Sequence, residues 1–326
     1  MQYRTLGRTG LKVSWLCMGT WIYGAQITEQ QAVEITNAAW DGGINFIDTA
    51  DMYHEGIAEE IVGRIFKGRR RDAVIATKVR AATGDGPNDA GLSRAHIMDA
   101  GEDSLRRLQT DYIDLYQVHW PDMDTPHEET LRAMDDLVRQ GKVRYIGVSN
   151  YPAWYLAEAL WVSDARGLVR FDSVQPLYNL LGRLPEEELF PLCLDQEIAV
   201  IPYNPMAGGL LSGKHRRGQP PPEGTRFQVD SDLYMPRYWF DENFDAVERL
   251  VEVAAGSDKT AAQLALLWVM ENPAVTSAIF GASRLSQLSE TLATTEMKLS
   301  EDEKEALDGI RGRTVREKRD PRLSPA

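Results

Sequence analysis

Cysteine is scarce in this chain: Cys17 and Cys193 are the two among 326 residues. They lie far apart and in no metal-ligand spacing. That argues against a disulfide framework or a cysteine-ligated metal, and fits free core thiols in a reducing, cytoplasmic setting. Long apolar runs are missing as well. None approaches the ~18 residues of a membrane span, and the opening MQYRTLGRTGLKV has no signal-peptide apolar stretch. Membrane association is therefore not expected. Positive charge is in short supply, since 36 Lys and Arg against 49 Asp and Glu leave a net charge of −13. Such a balance disfavours nucleic acid as a partner. The basic clusters KGRRR (67–71) and HRR (215–217) read as solvated turns. No low-complexity segment occurs. No GxGxxG follows an early strand, which removes the main support for an open dinucleotide-binding sheet.

What is present is alternation. Apolar, β-branched runs at 13–19, 44–48, 73–78, 112–119, 143–150, 172–175, 198–203 and 277–281 are each followed by a helical pattern. The helical patterns cover 28–41, 57–66, 93–108, 127–140, 152–164, 185–195, 241–255 with 260–272, and 285–294. Strand–helix alternation favours parallel pairing. Eight units in about 300 residues predict a closed (β/α)₈ TIM barrel, an α/β fold, spanning 1–312 as one domain. The opening YRTLGRTGLKV suits a hairpin plugging the barrel floor. The stretch 204–240, after the seventh strand, is the longest without a helical pattern. A loop that long in a compact domain is usually functional. Residues 313–326 form a polar C-terminal tail.

In such barrels chemistry sits at the C-terminal ends of the strands. The second strand ends on Asp48 and leads to Tyr53; the third ends on Lys78 and the fourth on His119. The fifth ends on Ser149 and Asn150, the sixth on Gln175 and the seventh on Tyr203. The eighth leads to Gly281, Ser283 and Arg284. Each residue alone has an ordinary explanation, such as a solvated strand end, a helix cap or a rim histidine. Four on neighbouring strands have a joint one. A free phenol titrates near ~10 and donates protons poorly at neutral pH. An adjacent ammonium favours phenolate, so Lys78 is expected to make Tyr53 more acidic. Asp48 would keep Lys78 charged, and His119 would orient the reacting oxygen. The product is a general acid poised over a carbonyl.

These residues resemble the aldo-keto reductase family. YRTLGRTGLKVSWLCMGTW is similar to its hairpin and first strand, and NFIDTADMYHEGIAEEIVG to its Asp/Tyr motif. VIATKV carries the lysine and RLQTDYIDLYQVHWPD the histidine. GKVRYIGVSNY, VQPLYNLLGR, IPYNPMAGGLLSGK and IFGASRLSQLSETL are similar to its cofactor segments. The pattern is nearest to bacterial reductases and potassium-channel β-subunits. The resemblance implies a catalytic tetrad of Asp48, Tyr53, Lys78 and His119. It implies that Ser149, Asn150 and Gln175 hold a nicotinamide carboxamide and that Tyr203 stacks on the ring. The segment from Pro205 through Leu210, Gly213 and Lys214 would wrap the pyrophosphate. Gly281, Ser283, Arg284 and Gln287 would take the 2′-phosphate end of NADP(H), with Glu290 near the adenine and NAD(H) as the second cofactor. Thr291 departs from the asparagine frequent in the family beside the adenine, and His54 from a common glycine. The retained His119 favours turnover.

The expected activity is reversible reduction of an aldehyde or ketone, the substrate being a small carbonyl or alcohol. Trp21, Tyr23, His54, Trp120 and Trp239 are expected at the substrate mouth, with rim packing or solvent exposure as the alternative. A second reading is a cofactor-sensing module with little turnover, similar to channel β-subunits. A third is a Schiff-base aldolase using Lys78. GGLLSGKH (208–215) nearly spells a P-loop, but His215 stands where Ser or Thr is required.

Overall fold

Residues 3–14 form the antiparallel hairpin β1 (Tyr3–Thr5) and β2 (Lys12–Ser14), with Tyr3 opposite Ser14. The computed structural model describes residues 1–313. Of the predicted tail, all but Arg313 lies outside the described residues. Eight parallel strands follow the hairpin. They are β3 (Leu16–Gly19), β4 (Phe46–Asp48), β5 (Val74–Val79) and β6 (Ile113–Val118), then β7 (Val143–Ser149), β8 (Phe171–Gln175), β9 (Ala199–Val200) and β10 (Ala278–Phe280). Strands β3 to β9 pair in chain order and β10 returns to β3. The ring closes where Val200 bridges Val275 and the Ile279 N–H donates to the Pro202 carbonyl at 2.9 Å. The fold is a (β/α)₈ TIM barrel with an N-terminal hairpin.

Period-two alternation splits each strand. Phe46, Val74, Ala76, Leu115, Ala199, Ile201 and Ile279 fill the barrel interior, where Leu6 and Val13 of the hairpin join them. Their strand neighbours Ile47, Ile75, Tyr116 and Val174 pack outward under the helices. The hairpin does plug the floor. At its tip Gly7 has φ +55, and a Cβ there would lie 2.6 Å from the Glu197 carbonyl oxygen. Only glycine tolerates both that conformation and that approach.

Outside the barrel lie α1 (Glu29–Asp41), α2 (Ile57–Ile65), α3 (Arg94–Leu108), α4 (His127–Arg139), α5 (Ala153–Arg166) and α6 (Leu189–Asp195). Side-chain caps start several helices. Thr28 and Gln31 form a capping box on α1, and Ser93 caps α3. Later come α9 (Asp241–Ala255), α10 (Ala261–Met270) and α11 (Leu285–Ala293). Among the described residues no helix is long and apolar enough to cross a membrane.

Several expectations need correction. The stretch 204–240 is not without helix, for it holds a 3₁₀ segment (Ala207–Ser212), α7 (Arg226–Val229) and α8 (Ser231–Tyr238). A last helix, α12 (Glu301–Asp308), was not expected. Neither basic cluster is simply solvated. Arg70 pairs with the buried Asp114 at 2.7 Å and stacks on Tyr112. His215 is buried against Phe227 and Trp239. Cys17 and Cys193 are both buried free thiols.

Candidate active site

The C-terminal ends of β4, β5 and β6 bring the expected four residues together. Asp48 and Lys78 point into the barrel one layer above Phe46 and Ala76, because β-strand side chains alternate. The Lys78 ammonium is fully buried and all three of its protons are directed. It donates to Asp48 Oδ2 at 2.6 Å, to the Thr49 carbonyl at 2.7 Å and to the Tyr53 hydroxyl at 3.2 Å. Burial works against its charge. The attraction of Asp48 and Tyr53 together with their hydrogen bonds outweighs burial, and its pKa is pushed up to about 12.

Tyr53 departs from expectation in sign. Burial raises the phenol pKa, the Lys78 ammonium lowers it and Asp48 raises it, with a net upward shift. The ammonium moderates a shift it does not reverse. His119 sits edge-on to Tyr53, ring centroids 5.9 Å apart. Burial first, then the charges of Lys78 and Arg80, hold its pKa well below the usual histidine range. His119 is therefore neutral at pH 7. Its Nδ1 is buried without a hydrogen-bond partner.

Asp48 has a second set of partners that the sequence reading did not find. Its Oδ1 accepts from Gln175 Nε2 at 2.8 Å and from Gln117 Nε2 at 3.2 Å. Gln117 lies on β6 opposite Lys78 on β5. Its parity with Leu115 and His119 points it inward, and that was the available signal. Gln175, expected at a nicotinamide amide, thus directs its amide nitrogen to the carboxylate.

The mouth is partly as expected. Trp21 stands edge-on to Tyr53 at 4.9 Å, and Trp120 lies 4.5 Å from His119, centroid to centroid. His54 Nε2 is 2.8 Å from the Trp21 carbonyl oxygen. The backbone φ of His54 is +49, a conformation glycine adopts freely. Tyr23 is not at the mouth. It is completely buried, its hydroxyl 2.6 Å from that of Thr36 on α1. The turn after β3 sends its ring outward beneath that helix. Trp239 packs on Phe227 and His215 within the 204–240 segment and on Phe244 of α9.

Beside the tetrad, β7 to β9 gather a second group. The Tyr203 hydroxyl donates to Asn150 Oδ1 at 2.9 Å, and Asn150 Nδ2 donates to the His119 carbonyl at 3.0 Å. The Ser149 hydroxyl donates to the Gln175 carbonyl at 2.8 Å. Asn150 itself has φ +59. Beyond buried Pro205, Gly208, Gly209 and Gly213 have φ of 69, 97 and 72, turning the backbone sharply, while the Leu210 side chain anchors it in the core. Lys214 follows. Burial, then the neighbouring charges of Arg284 and Arg226, lower its pKa. Three cations therefore share one neighbourhood at the end of this glycine turn. Arg226 also approaches Gly281, where a Cβ would lie 3.6 Å from its guanidinium. Arg226 was not anticipated, because the long segment that delivers it carries no periodic pattern. The Ser283 hydroxyl donates to Gln287 Oε1 at 3.0 Å, and Arg284 is exposed at the start of α11. Glu290 accepts from the Thr260 hydroxyl at 2.7 Å at the start of α10, so its carboxylate serves that helix.

A backbone turned by glycines beside a cluster of cations suits an anionic phosphate group. The adjoining Tyr203, Asn150 and Ser149 offer an aromatic face and amide or hydroxyl groups. This set fits a dinucleotide carrying phosphates at one end and a planar polar ring at the other. No group of three or more His, Cys, Asp or Glu suited to a metal occurs among the described residues.

Known proteins are similar to this chain over most of its length. The chain is 39% identical over 303 residues to a protein of Arabidopsis thaliana named probable voltage-gated potassium channel subunit beta, covering 91% of this chain and 92% of that one. It is 38% identical over 313 residues to the uncharacterized oxidoreductase YrpG of Bacillus subtilis (strain 168), covering 93% of each. The aldo-keto reductase YhdN of the same organism is 34% identical over 322 residues, covering 97% of this chain and 95% of that one. The profile of the Aldo/keto reductase family matches residues 15–311, from β3 through α12, with every tetrad residue inside the match. The chain belongs to the aldo/keto reductase family.

Proposed function

We propose that this oxidoreductase uses NADPH, with NADH as a weaker alternative, to reduce an aldehyde or ketone reversibly to an alcohol. One observation carries the reading: the Tyr53 hydroxyl lies 3.2 Å from a buried ammonium that Asp48 and the Thr49 carbonyl hold in place. When bound, the nicotinamide supplies the hydride for the carbonyl carbon. Ser149, Asn150 and Tyr203 would hold its ring end, and Lys214, Arg226 and Arg284 its phosphates.

The chain's own residues do the proton chemistry. Tyr53 keeps its proton at neutral pH and so is loaded as the acid. As negative charge develops on the substrate oxygen, the phenol proton moves to it. The phenolate left behind faces Lys78, whose charge stabilises it without a large rearrangement. Neutral His119 offers a hydrogen bond rather than a charge, which orients the oxygen toward the phenol. Asp48, steadied by Gln117 and Gln175, keeps Lys78 protonated. A Schiff-base role for Lys78 fits poorly, since all three of its protons are engaged and its pKa is about 12.

The likeness to the Arabidopsis protein favours a second reading, a cofactor-binding module with little turnover. A screen of aldehydes, sugars and steroids with NADPH, followed at 340 nm, separates the two. Turnover lost in Tyr53→Phe supports the reductase. Tight NADPH binding with no turnover across the screen supports the sensor.

A further inference from the structure

We propose that Arg80 selects carbonyl substrates that carry a carboxylate. This rests on the reductase reading and names the substrate class for that same site. On β5 and β6, Lys78 lies opposite Gln117. Just past the ends of both strands, Arg80 follows Val79, whose carbonyl accepts from the His119 N–H at 2.9 Å. The Arg80 guanidinium carbon lies 5.1 Å from the centre of the Trp120 ring, which itself lies 4.5 Å from His119. Arg80 thus stands at the rim of the tetrad.

Three features set it apart from a surface arginine. Its backbone φ is 129, a region that residues with a Cβ rarely enter. Such strain gathers at functional sites. Its Nε is buried and has no hydrogen-bond acceptor. Its guanidinium takes part in no ion pair among the described residues, in a chain where 49 carboxylates outnumber 36 cations. The nearby Asp122 forms no ion pair with it, and most of the acceptor capacity of Asp122 is already taken. Asp122 Oδ2 accepts from the Leu92 N–H at 2.7 Å and the Thr125 hydroxyl at 2.8 Å, and Oδ1 from the Asp124 N–H at 3.1 Å. Asp122 and Asp124 contribute at longer range and temper the positive potential. A guanidinium stacked on an indole, with unused donors, is shaped for bidentate capture of a planar carboxylate.

The test compares 4-carboxybenzaldehyde with 4-nitrobenzaldehyde, which matches it in shape but carries no net charge. The readout is the ratio of kcat/KM for the two, in wild type and in Arg80→Gln. A charged hydrogen-bonded pair predicts that the ratio falls about tenfold or more in the variant, mainly through KM. Arg80→Gly removes the same charge and relieves the backbone, so it covers the case in which Arg80→Gln folds poorly. Arg80→Lys should restore part of the ratio. An unchanged ratio in both neutral variants overturns the proposal. Binding of terephthalate, followed by calorimetry, needs no turnover. If wild type reduces neither aldehyde yet binds terephthalate in an Arg80-dependent way, the reductase reading fails and the anion site stands. If terephthalate binding does not depend on Arg80, the anion site falls.

Discussion

Asp51→Asn should stabilise the protein, and increasingly so as pH rises from acid to neutral. Asp51 lies two residues before Tyr53, 3% exposed, with no well-formed hydrogen bond to either carboxylate oxygen. The buried Glu59 stands nearby, but its own oxygens are taken. Arg107 Nε donates to one at 2.6 Å and the Thr77 hydroxyl to the other. The single guanidinium is thus matched to Glu59, and Asp51 is the carboxylate without a counter-ion. Burial, then the charge of Glu59, push its pKa from 3.8 to about 8, against weaker pulls from the Met52 amide, Arg107 and Lys78.

The sign follows from proton uptake. Between pH 4 and pH 8 the folded protein keeps a proton on Asp51 that the unfolded chain releases. The folded state then binds more protons, so stability falls as pH rises through that window and levels off above about 8. At ~1.4 kcal/mol for each tenfold change in proton affinity, the ceiling of this loss is ~6 kcal/mol. Relaxation and water entry will reduce it. Asparagine nearly matches the protonated carboxyl in size and does not titrate. The variant should match wild type near pH 4.5 and exceed it by ~2 kcal/mol or more at pH 8, once part of the ceiling is realised. Urea unfolding of both proteins at pH 4.5, 6 and 8 measures the difference. Parallel stability curves would refute the reasoning, because they would mean that Asp51 ionises as freely in the fold as outside it.

The other expectations concern the tetrad, the phosphate end and the floor. Tyr53→Phe should lower turnover roughly 10²–10⁴-fold, the usual worth of general acid catalysis, with NADPH binding by fluorescence quenching unchanged; full turnover would remove Tyr53 from the mechanism. Lys78→Met should leave Asp48 buried with only amide partners, costing ~3–5 kcal/mol of stability, and should alter the pH–rate profile; a profile that overlays wild type counts against the ammonium's role. Arg284→Ala should weaken NADPH binding ~10-fold or more while sparing NADH, as read by titrating both cofactors at fixed salt; equal weakening would show that Arg284 is not a 2′-phosphate contact. Gly7→Ala should destabilise the barrel floor by ~1–3 kcal/mol, visible as a lower urea midpoint, because its Cβ would meet the Glu197 carbonyl at 2.6 Å.

Which features were legible in the sequence follows from what each depends on. The eight strands could be read because each is a short apolar run, most of them closed by a polar residue. The tetrad could be read because Asp48, Lys78 and His119 are among those closing residues and Tyr53 follows Asp48 in the same loop. Gln117 shares their layer but sits one step inside the strand, hidden by the apolar residues around it. Arg226 depends on how the 204–240 segment folds back, and no local pattern carries that. Helix α12 buries Leu307 alone among its residues, so it shows no apolar period. Its Ser300–Glu303 capping box was the one readable signal. Composition misjudged Arg70 and His215, since burial of a charged or polar side chain is decided by tertiary neighbours.

The phenol is the instructive case. Residue chemistry alone suggests that an ammonium beside Tyr53 makes it more acidic, and the ammonium does pull in that direction. Burial is the larger effect and has the opposite sign. The consequence differs between the two directions of reaction. Reduction needs the phenol protonated, and a raised pKa keeps it so throughout the neutral range. Oxidation of an alcohol on the same mechanism needs the phenolate as base, and burial works against that form. On the proposed mechanism, the raised phenol pKa favours the reductive direction at neutral pH. Lys78 matters less for the resting protonation of Tyr53 than for the charge that Tyr53 bears once its proton has gone.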